Sequence, residues 1–455
     1  MKNKEIDMLH GPLASKLVIF ALPLAVSSIL QQLFNSADLA VVGRFDSDQA
    51  MAAVGSNASL VNLIVSLFLG LSVGANVVVA RLIGQGRKEK INEAVHTVVL
   101  LAVISGFIIL GVGEILAPIL LGMMNVPDDV FTLATLYLRI FFFAMPFIEI
   151  YDFGSAVLRS KGDSTRPLYA LITAGIINVA LNLLFVIVFK MGVAGVATAT
   201  VISNFFSACM ILYFLTHEEE TFRLDLRKLR IRSEYLIGII KIGLPAGLQS
   251  MVFSLSNVVI QTAINSFGSG GIAGSTAAQN FEFMSYFVIS AFAQTATTFT
   301  SQNFAAEDKD RCKKIYRLCT FIGLASCLGL SLIFLIGRHL FIQIFSTDEN
   351  VIHYAMIRMW SVCLLELLTG VYEISGGCLR GMGHSMIPAV ITVLGTCVFR
   401  LVWVNTIYVA HRSYLMLMIV YPVSWVITGT AVTIAYFVTR RKEFAAMGKR
   451  RADII

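Results

Sequence analysis

Charge is the scarcest commodity in this sequence. Only 14% of its 455 residues are Asp, Glu, Lys or Arg, against roughly 25% in a soluble globular chain. So few charges cannot cover the surface of the three or so soluble domains that length alone suggests. Cysteine is missing before Cys209, and the seven present lie mostly inside apolar runs. That excludes a secreted disulfide framework and a spaced metal motif. The seven histidines are scattered. No G-x-x-x-x-G-K-[ST] occurs, so the chain carries no ATPase of its own. Gly268-Ser-Gly270-Gly-Ile-Ala273 imitates a dinucleotide loop but lies between apolar runs, without a βαβ context. Lys2 and Lys4 are followed by an apolar run too long for a signal peptide, with no small-residue cleavage site.

What is present is apolar. Hydrophobic residues make up 57% of the chain, and mean hydropathy is +0.79. A bilayer-spanning helix takes about 20 apolar residues. Twelve runs qualify, at about 16–41, 52–80, 94–121, 131–157, 168–189, 193–215, 236–262, 272–300, 315–345, 351–378, 387–410 and 414–439. The expectation is an all-α polytopic membrane protein with twelve transmembrane helices. The one long hydrophilic connector, 216–235, nearly halves the chain and leaves no room for a soluble catalytic domain. If both termini and every even-to-odd connector are cytoplasmic, only Arg44, Lys190, Arg338 and Arg412 lie on the far side. Arg139, Arg358 and Arg400 lie within spans, which leaves 28 of the 35 basic residues inside. That asymmetry fixes the expected orientation. The net charge of +7 therefore reflects the membrane and not nucleic acid.

The halves are copies. YDFGSAVLRSKGDSTRP at 151–167 and YEISGGCLRGMGHSMIP at 372–388 share six of 17 positions at an offset of 221. Pro23 and Asn35 match Pro245 and Asn257 at an offset of 222. Six helices per copy make the halves parallel, related by an axis along the membrane normal. The expected domains are lobes 1–222 and 223–455, an architecture suited to transport.

These residues carry a specific resemblance. The GLP-type start of helices 1 and 7, Asn35-Ser-Ala-Asp38…Gly43, Gly84-Gln-Gly86, the duplicated L-R-x-x-G-x-S-x-x-P, and Asn178 with Asn182 together resemble the multidrug and toxic compound extrusion (MATE) family of bacterial type. The resemblance covers essentially the whole chain. It implies two pseudo-two-fold-related six-helix lobes in a bacterial cytoplasmic membrane. It also implies export of amphiphilic, often cationic compounds in exchange for H⁺ or Na⁺, and places a cation site on Asp38, Tyr137, Asn178, Asn182 and Thr200. Some relatives carry a second acid where Asn182 stands, which leaves the ion open. Certain relatives carry a functional glutamate near Phe253, so that centre does not transfer to this chain.

The residues themselves point the same way. An ionisable group at the centre of a span costs about 2.5–3.5 kcal/mol on insertion scales. Asp38 forms one helix-face stripe with Gln31 and Asn35; a solvated position near the helix end is its other reading. Counted along the expected spans at 1.5 Å per residue, Asp38, Tyr137, Asn182 and Thr200 fall at similar depth, with Asn178 one turn away. One carboxylate with amide and hydroxyl oxygens makes a hard-oxygen site, with Na⁺ at Asp38, Asn178 and Asn182, or a proton on Asp38. In the second half Ile260 and Phe253 stand where Asp38 and Gln31 would be. That half offers Glu282, Glu366, Glu373 and Arg400 for substrate. Glu366 and Glu373 are seven apart, on one face, and an ion pair of one of them with Arg400 or Arg358 stays open. Asp152 with Arg159, and Glu373 with Arg380, are candidate gate braces, and Glu149 shares the face of Asp152. Pro23 and Pro245 interrupt equivalent helices and are candidate bending points, although packing inherited through duplication predicts the same match.

The expected function is a secondary antiporter for a small amphiphilic organic substrate, working by alternating access. The alternative is a flippase for lipid-linked saccharides of the same superfamily. A membrane-embedded lipid enzyme would need a clustered nucleophile, a metal site or paired acids at an interface, and none is convincing. No cofactor beyond the coupling ion, no nucleic acid and no obligate protein partner are expected, and the state expected is monomeric.

Overall fold

Leu, Ile, Val, Ala and Phe runs without charge satisfy their backbone groups in lipid only as helices or closed barrels. In the computed structural model, which describes residues 5–124, 127–343 and 345–452, every regular element is helical. Lys2 and Lys4 lie outside the described residues. The first half contains α1 (Leu13–Phe45), α2 (Asp48–Gly84), α3 (Lys88–Met123), α4 (Asp128–Phe142), α5 (Met145–Lys161), α6 (Thr165–Leu183) and α7 (Gly192–Thr216). The second contains α8 (Ser233–Asn265), α9 (Gly268–Ala305), α10 (Lys309–Ile336), α11 (Arg338–Gln343), α12 (Glu349–Arg358), α13 (Leu367–Gly381), α14 (Met386–Thr392), α15 (Phe399–Asn405), α16 (Ile407–Ala410) and α17 (Tyr414–Ala452).

Among the described residues ten helices are long and apolar enough to cross a membrane. The count rises to eleven when Val130–Phe142 and Met145–Lys161, bent by 46°, form one span. The expected span 272–300 is present within α9, but its Ser, Thr, Gln and Asn residues keep it out of that count. The chain is thus an all-helical polytopic membrane protein with about 10–12 spans. Ile115, Phe321 and Ile336 are 72%, 74% and 78% exposed, as side chains that meet lipid must be.

Departures from regular helix sit inside the expected spans. Pro146, near the start of α5, has no N–H to continue the ladder, and the α4–α5 bend falls just before it. Three π-helical turns interrupt other spans, at Leu184–Val188, Met359–Cys363 and Val393–Val398. Pro23 and Pro245 both lie inside continuous helices.

Packing gives two compact units. Unit 1 is Met1–Ile6 with Val26–Leu244, and unit 2 is Asp7–Ala25 with Pro245–Ile455. Within unit 1, the connector after α7 is strapped down. Asn92 donates to the Glu220 and Arg223 carbonyls at 3.1 and 3.0 Å, and Thr97 Oγ1 donates to the Arg230 carbonyl at 3.1 Å. His96, 3% exposed, accepts the Asp225 N–H on Nε2 at 3.0 Å. Lys161, at the end of α5, bonds Glu5 at 2.6 Å and Glu218 at 2.7 Å. Burial works to lower the Lys161 pKa, but the bonds and charges of Glu218 and Glu5 prevail and hold it above the ordinary lysine value.

Candidate functional site

Polar groups inside apolar spans must find partners, and in unit 1 they find one another. Asn182 Nδ2 donates to Asp38 Oδ1 at 2.5 Å and to Asn178 Oδ1 at 3.2 Å. Asn178 Nδ2 donates to Thr200 Oγ1 at 3.4 Å, and Thr200 Oγ1 donates to the Val196 carbonyl at 3.0 Å. Asp38, Asn178 and Asn182 are 8%, 6% and 0% exposed. Spacing explains the chain: Asn178 and Asn182 are one turn apart on α6, so their side chains share a face toward α1 and α7. Asn182 Oδ1 is buried and has no partner.

This chain lies in the wall of a cavity of about 380 Å³, lined by Gln31, Asn35, Asp38, Tyr137, Asp152, Asn178 and Thr200 among others. Among the described residues, no Lys, Arg or His lines it. The solvated helix-end reading of Asp38 does not hold, since its side chain is buried against Asn182. Tyr137 is buried and stacks on Phe141, centroids 6.1 Å apart. Glu149 is 1% exposed and accepts from Ser105 Oγ at 3.5 Å, and it is not part of the cavity lining. No hydrogen bond joins Asp152 to Arg159 among the described residues, so that brace acts through space at most. Asn204, whose Nδ2 donates to the Thr200 carbonyl at 2.8 Å, also lines the cavity; its place one turn beyond Thr200 was a usable signal that the sequence reading missed.

The second half builds a different polar core. Arg358 Nε and Nη2 donate to Glu282 Oε2 and Oε1 at 2.9 and 3.2 Å, and Nη1 donates to Ser275 Oγ at 2.7 Å. Neither Glu366 nor Glu373 therefore takes Arg358. Arg400 Nε donates to Ser424 Oγ and Nη1 to Asn257 Oδ1, both at 3.1 Å, and its guanidinium carbon lies 4.4 Å from the Tyr421 ring centroid and 5.2 Å from that of Phe253. No carboxylate pairs with Arg400 among the described residues. Glu373 lies 3.9 Å from Arg380, whose Nη2 donates to Gln249 Oε1 at 3.3 Å. Glu366 leads out of the irregular turn before α13, with Oε2 buried and unpartnered.

A cavity of about 60 Å³ opens beside these groups, lined by Phe253, Asn257, Gln279, Glu282, Phe283, Tyr286, Glu366, Thr369, Tyr372, Arg400, Tyr421 and Trp425. No group of three or more His, Cys, Asp or Glu side chains that could hold a metal occurs among the described residues. The oxygens at Asp38 suit a monovalent hard cation or a proton, not a transition metal.

Two separate segments, 23–184 and 245–404, match one family model, MatE. The chain belongs to the MatE family. Membership makes it an ion-coupled transporter and not an enzyme, and the paired match reproduces the internal repeat. The chain is 26% identical to the probable multidrug resistance protein YoeA of Bacillus subtilis over 82% of each chain. It is 25% identical to the probable multidrug resistance protein NorM of Thermotoga maritima, over 85% of this chain and 84% of the relative. The crystal structure of MATE in the bent conformation matches with a TM-score of 0.88 and 22% identity, covering 99% of this chain and all of that one. That likeness establishes the MATE fold.

Proposed function

We propose that this MatE-family member exports drug-like, amphiphilic and cationic organic compounds across a bacterial cytoplasmic membrane, in exchange for H⁺ or Na⁺ taken up at Asp38. Both termini are cytoplasmic in this reading, as the Lys and Arg distribution requires. The repeat-related lobes, 1–222 and 223–455, alternate in access, with Pro23 and Pro245 as bending points. One observation carries the reading: a buried carboxylate, hydrogen-bonded through Asn182 to Asn178 and Thr200, in the wall of a cavity that, among the described residues, is lined by two acids and no base. Such a cavity attracts cations. The same lining disfavours lipid-linked saccharides, whose phosphates are anionic.

Coupling follows from the amide. Asn182 turns its NH₂ to Asp38 and Asn178, leaving its own oxygen unpartnered. Na⁺ between Asp38, Asn178 and Asn182 requires that amide to rotate and present Oδ1. A proton on Asp38 removes the charge that holds the cation, so the two compete. Gln31, Asn35 and Asp152 contact cargo; Glu149 sets the field behind Asp152; Glu373 with Arg380 braces the inner gate; Glu282, Glu366 and Arg400 form a second polar centre. The protein works as a monomer, since one chain holds both lobes.

The test is efflux of a fluorescent organic cation from proteoliposomes under a proton and then a sodium gradient, with wild type and Asp38→Asn. The expected result is gradient-driven efflux that Asp38→Asn abolishes. Efflux that survives the substitution sinks the coupling site. No efflux under either gradient sinks the exporter reading and calls for a lipid-scrambling assay.

A further inference from the structure

The small cavity of the second half is a copy of the larger cavity of the first, in which a guanidinium has entered and the Asp38 carboxylate has been lost. The repeat offset of 221 or 222 carries eleven of the twelve residues lining the second cavity onto residues lining the first. Phe253 falls on Gln31, Asn257 on Asn35, Tyr372 on Tyr151, Arg400 on Asn178, Tyr421 on Thr200 and Trp425 on Asn204. The offset grows by one before Arg400 because the π turn Val393–Val398 accommodates an extra residue, and the turn Leu184–Val188 takes it back before Thr200. Asp38, the carboxylate of the first site, becomes Ile260, while Asn178 becomes a guanidinium. Arg358 falls on Tyr137 at an offset of 221, but Glu282 neutralises it.

Unmatched hydrogen-bonding groups remain around that guanidinium. Arg400 Nη2, Trp425 Nε1 and Tyr372 Oη are buried donors without partners, on residues 1–2% exposed. A buried donor left empty costs about as much as a lost hydrogen bond, so three in one small cavity call for a guest rich in acceptors. The one lining residue without a counterpart in the first cavity is Glu366. It is faced by Glu282 and Tyr286 of α9, Cys327 of α10, Arg358, Cys363 and Tyr372 of its own span, and Arg400 of α15. An ionised Glu366 repels an anion; a proton on its unpartnered Oε2 removes the repulsion. Anion and proton together add no net charge to a buried site, where a lone charge is costly. We propose that the second cavity binds a monoanionic group, a halide or a carboxylate, on Arg400 Nη2, Trp425 Nε1 and Tyr372 Oη, together with a proton on Glu366.

The inference stands apart from transport and is tested by binding alone. Purified full-length protein is titrated with bromide, a heavy-atom quencher, while tryptophan fluorescence is followed. The expected result is a saturable component that Trp425→Phe removes and that Arg400→Gln weakens about tenfold or more, the loss of one charge-assisted bond. Bromide affinity rises as pH falls in wild type, and Glu366→Gln binds more tightly at neutral pH with that dependence flattened. Acetate that displaces bromide identifies a carboxylate-accepting site; acetate without effect identifies a halide site. Where Arg400→Gln does not fold, Tyr372→Phe keeps the guanidinium, removes one donor and still weakens binding several-fold. Quenching that never saturates, or saturable quenching indifferent to both Arg400→Gln and Tyr372→Phe, overturns the proposal. A pH dependence that persists in Glu366→Gln overturns its proton half.

Discussion

Replacing Glu282 by Met would strand one of the two most deeply buried guanidiniums among the described residues. Arg358 is 1% exposed, and beyond its two-point pair with Glu282 it meets only neutral groups, Ser275 Oγ and Tyr421, among the described residues. Removing one member of a buried pair costs about 3–5 kcal/mol, because the other charge keeps its desolvation penalty. For a unit of some two hundred residues that corresponds to a fall in Tm of about 6–20 °C. The double variant Glu282→Met with Arg358→Met removes both charges and fills similar volume. It should recover to within about 1–2 kcal/mol of wild type, since apolar isosteres of buried pairs are often neutral. Thermal unfolding of wild type, both single variants and the double variant closes the cycle and gives the coupling directly. A single-variant cost below about 1 kcal/mol, or a double variant equal to the sum of the singles, would refute the argument that this pair holds α9 to α12.

Four further outcomes follow from local contacts. A Cβ on Gly377 would lie 2.5 Å from the Ala293 carbonyl oxygen and 2.9 Å from Thr297 Oγ1, so Gly377→Ala should cost about 1–3 kcal/mol in thermal unfolding. Gly111→Ala, with nothing within 4 Å of its added carbon, should be neutral or stabilising by up to about 1 kcal/mol. The Lys161 pKa is raised above its ordinary 10.5, so the contribution of its bonds to stability is fully present below that value and fades only as pH rises through the raised one. Lys161→Met should therefore destabilise equally at pH 6 and pH 8, by comparison of melting curves. His96→Phe removes the acceptor for the Asp225 N–H and should make the 216–235 connector cleave faster under limited proteolysis, at unchanged helix content.

Much of this was legible because polar residues stand out in apolar surroundings. Asp38, Asn178 and Asn182 announced themselves by type and by helical spacing, and the structure joins them by hydrogen bonds. The repeat was legible from L-R-x-x-G-x-S-x-x-P, and Asn257, its least conspicuous match, lies against Arg400. Partner choice was not legible. Glu366 and Glu373 lie 8 and 15 residues beyond Arg358 in the same span, about 12 and 22 Å along the axis and out of reach of a direct pair, whereas Glu282 meets Arg358 only through the angular setting of α9 and α12. The bend before α5 had a signal, Pro146, that the expected single span 131–157 passed over. The thin hydropathy of α9 has a physical source: its Thr and Ser hydroxyls donate to carbonyls one turn back, as Thr295, Thr297 and Ser301 do. A helix can thus carry many polar side chains without exposing them.

The π turn at Val393–Val398 left no trace in residue type, yet it decides which side chain the second cavity meets. The turn absorbs one extra residue. Wound as regular α-helix, the same residues would rotate everything beyond it by about 100°, bring Phe399 to the place of Arg400 and carry the guanidinium away from Asn257 and Ser424. A variant lacking one residue of that turn has nothing extra to absorb and should keep Arg400 in place on a regular helix. The polarity of the cavity therefore depends on how a single turn is wound as well as on residue identity: a change of winding alone would exchange its charge for an apolar wall.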